Sequence, residues 1–202
     1  MNKKFRKNPT NFLREYVILK SPDDPVLIPP GAVDIDLVPV GRYDRDKVRI
    51  ERFNARTHGW GAKPIHAYWL PAQRDNSATI PIAGAADYMF TSDLSGCLFA
   101  AYGANNMALT VEHVNVHSPA AAVPIVPRAQ AILALGPAGA IPAFCKILSP
   151  APIPTAGLPA AAAAINRHVI HYPGNAWVIG VRHAGWRFYY TLSGSPHTVR
   201  YL

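Results

Sequence analysis

The sequence predicts an α+β fold built around antiparallel or mixed β-sheets. Three observations lead there. Runs alternating apolar and polar residues dominate the pattern, helical stretches are few and short, and half of the 202 residues are hydrophobic while only 16% are charged. That balance excludes a disordered chain despite 20 Pro and 14 Gly. The length suits one domain with its own core. We read residues 1–202 as one domain, with 1–9 a flexible basic tail and 118–165 a Pro/Ala-rich excursion within it.

In chain order, the first helical candidate is 10–19, followed by a strand at 48–53, where Val48, Ile50 and Phe53 are set among charged residues. Residues 65–70 form a short aromatic strand, 83–90 an alanine-rich helical candidate, and 98–101 with 108–117 a pair of strands joined by the turn-rich Gly103-Ala104-Asn105-Asn106. Helices are expected at 129–135 and at 159–167, where Pro159 suits a first helical turn. Residues 176–180 and 186–192 read as two strands with Gly185 in the turn between them, and 197–202 as a last strand.

Several function classes fall away. Two cysteines are too few for a secreted disulfide scaffold and lack the spacing of a zinc finger or ribbon. The basic start is broken at Pro9, Arg14 and Glu15 before an apolar signal segment develops, and the prolines between 137 and 159 argue against a membrane span. The formal net charge of +8 invites nucleic acid. However, the cations between Arg42 and Arg52 alternate with Asp44, Asp46 and Glu51, and no nucleic-acid motif accompanies them. The charge is read as solubility or attraction to an acidic protein.

One stretch carries chemistry. Cys97 follows Leu94-Ser95-Gly96, and a glycine there lets the backbone turn sharply beside a substrate. His113 lies sixteen residues on (113 − 97), in a strand-like run, so a hairpin would bring the two to the same end of a strand pair. An imidazole next to a thiol accepts its proton and later returns it to a leaving group. The backbone N–H groups near Gly96 and Cys97 are candidates for holding an oxyanion. His117 shares a strand face with His113 and is a rival base. Cys145 reads as a packing thiol, and Glu112 points away from the face shared by His113 and His117, which makes a metal site poor. Asp93, Ser95, Tyr102, Asn105 and Trp186 are candidates for the cleft rim.

Leu94-Ser95-Gly96-Cys97 followed by a histidine on the next strand resembles the glutamine deamidase toxins of the cytotoxic necrotizing factor and Burkholderia lethal factor type. The similarity extends to Asp87-x-x-Phe90-Thr91-x-x-Leu94-Ser95-Gly96-Cys97 and to Val111-x-His113-Val114-Asn115, and it covers roughly 47–117 and 175–202. The cysteine-to-histidine spacing is longer than in the lethal factor and near that of the necrotizing factor.

The resemblance implies a β-sandwich of two mixed sheets surrounded by helices and loops. It also implies Cys97 as nucleophile, His113 as general base and acid, the main-chain carbonyl of Thr91 as the group orienting the imidazole, and Ser95 and Gly96 in the oxyanion motif. It further implies no metal or cofactor, and a host protein bearing the target glutamine as substrate. The chain would then be a monomeric bacterial toxin or effector, secreted or injected without a classical signal peptide and acting in the target-cell cytoplasm. Two other readings stay open. One is a different thiol-dependent acyl transferase or protease, including transglutamination; the other is a non-catalytic basic protein-binding module.

Overall fold

The computed structural model describes residues 1–19, 28, 30–41, 46–54, 63–73, 75–115, 125–136, 140–154, 167–192 and 195–202. In chain order the elements are α1 (Asn2–Lys7), α2 (Pro9–Glu15), β1 (Val17–Leu19), β2 (Gly31–Pro39), β3 (Lys47–Arg52), β4 (Ile65–Leu70), β5 (Asn76–Ile82), β6 (Tyr88–Thr91), β7 (Leu94–Ser95), β8 (Leu98–Gly103), β9 (Leu109–Asn115), α3 (Ile125–Leu133), β10 (Phe144–Ser149), β11 (Val169–His171), β12 (Asn175–Arg182), β13 (Trp186–Leu192) and β14 (Ser195–Tyr201).

They form a sandwich of two mixed sheets. Sheet A runs β1-β3-β2-β4-β6-β12-β13-β14 with β7 also on β12, and sheet B runs β11-β10-β8-β9-β5. The pairs β1/β3, β4/β6 and β10/β11 are parallel, and the other pairs are antiparallel.

The alternation of side chains along each strand builds four layers. Tyr68, Leu70, Met89, Ala176 and Val178 of sheet A meet Phe99, Ala101, Val111 and Leu148 of sheet B between the sheets. The opposite face of sheet A, with Ile35, Ile50, Trp69, Phe90 and Ile179, is covered by Phe5, Phe12, Leu13 and Tyr16 from α1 and α2. The opposite face of sheet B, with Leu98, Ala100, Val114 and Ile147, is covered by Ala129, Ile132 and Leu133 of α3.

Several expectations need correcting. The basic start is not a tail: residues 2–7 are helical, and Phe5 is fully buried against Phe12, Tyr88 and Phe90. The next helix begins at Pro9, capped by the Asn8 side chain on the Asn11 N–H, and stops at Glu15. Beyond it the β-branched Val17 and Ile18 pair with β3.

The alanine-rich 83–90 is not a helix. The Tyr68 hydroxyl accepts from the N–H groups of Ala83 and Ala85, and 88–91 is drawn into sheet A between β4 and β12. Tertiary pairing outweighs propensity there. The third helix starts at Ile125 rather than at residue 129.

The Pro/Ala-rich region also contributes β10, which lies between β11 and β8 inside sheet B. The expected helix at 159–167 and His117 fall outside the described residues, apart from Arg167. The expected hairpin forms across 175–192, with Gly185 in its turn at φ +139. Among the described residues no helix is long and apolar enough to cross a membrane.

Candidate active site

Three crossings between the sheets converge at one end of the sandwich. The chain leaves sheet A after Leu70 for β5, leaves it again after β7 for β8, and returns from β11 to β12. Cys97 stands at the second crossing. Gly96 makes the corner with φ +73, in the left-handed region that glycine enters without a Cβ clash. Cys97 itself is only 1% exposed and packs with the inter-sheet core.

The third crossing supplies a clamp that the sequence did not disclose. The hydroxyl of Tyr172, fully buried, accepts the Cys97 N–H at 3.1 Å and lies 2.6 Å from the Cys97 carbonyl and 3.0 Å from the Leu94 carbonyl. The amide of Cys97 is thus engaged, while Ser95 and Gly96 stand exposed at the corner. The thiol donates to the Ser95 carbonyl at 3.5 Å. Burial, with the nearby Asp93 carboxylate adding to it, pushes the thiol up to about 12, so the sulfur rests protonated.

His113 lies on β9, paired with Phe99 on one side and Ala78 on the other, on the inner face and fully buried. Its Nδ1 is 3.3 Å from the Ser92 hydroxyl, and the Leu70 carbonyl also accepts from the ring. Both neighbours come from sheet A, and they touch each other: the Ser92 N–H donates to the Leu70 carbonyl. Nε2 is buried without a hydrogen-bond partner.

Thr91, named for its carbonyl, is fully buried at the position of β6 paired with Leu70 of β4. Its hydroxyl engages both the N–H and the carbonyl of Val178. The imidazole contacts formed are thus those of Ser92 and Leu70, each adjacent to Thr91 in chain or register. Among the described residues the thiol and the imidazole reach different carbonyls and are not bonded to each other.

Tyr102, Asn105 and Trp186 lie elsewhere, which corrects the expected rim. The Asn106 carbonyl accepts the Trp186 N–H, so the β8–β9 turn docks on the β12–β13 turn. Trp186 pairs with Arg182, whereas Leu94 pairs with Ala176. Six residues of strand separate these ends, roughly 20 Å. Cys145 packs under α3 on the other face of sheet B, so the two cysteines are free and divided by the sheet.

Burial pushes the His113 pKa from 6.5 down to about 4 against the opposing pull of the Leu70 carbonyl. Folding therefore strips a proton from this ring below pH 6.5. The neutral imidazole's contribution is complete above that value and is lost as pH falls through 6.5 toward 4. Between pH 7.5 and 4.5, urea unfolding should show wild type losing about 2–3 kcal/mol more than His113→Leu. Equal losses would mean that the ring titrates normally in the folded protein.

No family model and none of the curated proteins matches the chain. Among solved structures it is similar to the crystal structure of the C-terminal domain of CNFy from Yersinia pseudotuberculosis, at 10% identity and a TM-score of 0.39, over 86% of this chain and 89% of that one.

Proposed function

We propose that the protein is a cofactor-independent protein glutamine deamidase, converting one glutamine of a host protein to glutamate through Cys97 and His113. The observation that supports this reading is a cysteine at a glycine-formed corner, two residues before Phe99, which is the register partner of a buried histidine whose Nε2 is unpartnered. The Leu-Ser-Gly-Cys resemblance supplies the reaction class.

The chemistry follows from the resting protonation states. A protonated thiol and a neutral imidazole form no ion pair, so the proton passes to Nε2 as the C–S bond forms at the carboxamide carbon. Backbone N–H groups of the exposed Ser95–Gly96 corner hold the oxyanion. Collapse of the tetrahedral intermediate breaks the C–N bond, and His113 returns the proton so that ammonia leaves. Water, deprotonated by the same ring, cleaves the thioester to give glutamate and the free thiol. Ser92 and the Leu70 carbonyl fix the ring, in the role the resemblance gives to the Thr91 carbonyl.

In this reading the protein is a monomeric toxin or effector that works inside a target cell, where its thiols stay reduced. The test is ammonia release from dialysed, reduced cell lysate. Wild type should release ammonia without shortening any chain, and adding a primary amine should leave the yield of glutamate largely unchanged. Amine adducts in place of glutamate would make the enzyme a transglutaminase, and new chain termini would make it a protease.

A further inference from the structure

Beyond the nucleophile and base, we infer that Asn115 recognises the carboxamide of the substrate, its Oδ1 accepting a hydrogen bond from the glutamine side-chain NH2. The inference rests on the deamidase reading and adds to it the group that selects amide over product.

Sheet register supplies the placement. β8 and β9 pair Phe99 with His113 and Leu98 with Val114, so one further step sets Asn115 across from Cys97. Alternation puts His113 and Asn115 on the inner face, while Val114 between them packs toward α3. On its other side Asn115 pairs with the exposed Asn76 of the edge strand β5, which places it at the rim of the site rather than deep in the core.

Polar accounting supplies the ligand. Asn115 is 7% exposed and its Oδ1 is buried without a hydrogen-bond partner, as is Nε2 of His113 two residues away. Buried polar atoms are nearly always paired, so the orphaned Oδ1 on this face, close to a cysteine, calls for a donor from a ligand. A primary carboxamide supplies one: an N–H reaches Asn115 Oδ1, the carbonyl carbon faces the thiol, and Nε2 of His113 is left to take the thiol proton. The glutamate product has no N–H to offer, and its charge meets the nearby Asp93 carboxylate that already raises the thiol. The same contact that holds substrate therefore favours release of product.

The test needs no host target. Cys97 is alkylated with iodoacetamide and, separately, with methyl iodoacetate, a neutral reagent without an N–H. Rates are read by peptide mass spectrometry and normalised to glutathione. Wild type should favour the amide reagent by about tenfold over glutathione. Asn115→Leu should fall to the glutathione ratio with an unchanged melting temperature, and Asn115→Asp, which keeps an acceptor, should retain the preference. The Cys145 peptide should show no preference in any variant. A preference that survives in Asn115→Leu, a wild type that shows none, or a Cys97 that neither reagent reaches would each overturn the assignment. Ammonia release by the wild type would stand apart from all three results and would keep the deamidase reading.

Discussion

Exchanging Cys97 for serine should lower amide hydrolysis by at least about three orders of magnitude while leaving the fold intact. The substitution replaces sulfur by oxygen in a site that is 1% exposed, where the Ser95 carbonyl already accepts a hydrogen bond from the side chain. Packing therefore changes little, and the melting temperature should stay within a few degrees. Chemistry changes greatly, because a hydroxyl resists deprotonation more than a thiol and is the poorer nucleophile toward an amide. His113→Gln should cost about 10²–10⁴-fold by removing the proton acceptor. Wild-type kcat/KM should be level through neutral pH and fall below about pH 4–5 as the imidazole protonates, since the thiol titrates only near 12. Full activity in Cys97→Ser would remove the nucleophile from the account.

The second large effect concerns stability. Glu112, next to His113 in the chain, points to the other face of β9 and is fully buried. Arg128 of α3 binds it with two charge-assisted hydrogen bonds, Nε to Oε1 at 2.8 Å and Nη2 to Oε2 at 2.7 Å, and the Tyr102 hydroxyl lies 3.4 Å from Oε2. Arg128→Met should destabilise the protein by about 3–5 kcal/mol, because it strands a buried carboxylate, and should lower Tm by roughly 10 °C. Adding Glu112→Leu should restore most of the loss. A deficit below 1 kcal/mol in the single variant, read by urea unfolding, would mean that α3 is held by Ala129, Ile132 and Leu133 alone.

What the sequence disclosed was local. The hairpin at 175–192 and the strands around Cys97 and His113 follow from alternation and a glycine turn, and the motif itself spans four residues. Of the strands that the sequence did not disclose, three were hidden for identifiable reasons. In β2 the aspartates Asp34 and Asp36 between Val33, Ile35 and Leu37 suggest a polar loop, although they mark its outward face. In β5 the ladder tolerates Pro81 because the strand lies at a sheet edge. β10 sits within prolines and alanines, and only the whole sheet gives it partners. The site's supporting groups were hidden for a different reason. Tyr172 is 75 residues from Cys97 and Leu70 is far from His113, and only the three converging sheet crossings bring them together. The 83–90 segment shows the same dependence, since Tyr68 and β12 decide its conformation.

Quantitative proteomics of a eukaryotic cell lysate treated with wild-type protein or with Cys97→Ser should show one glutamine, on a folded protein, converted to glutamate only by the wild type. Identical glutamine-to-glutamate changes in both samples, or none in either, would overturn the deamidase reading.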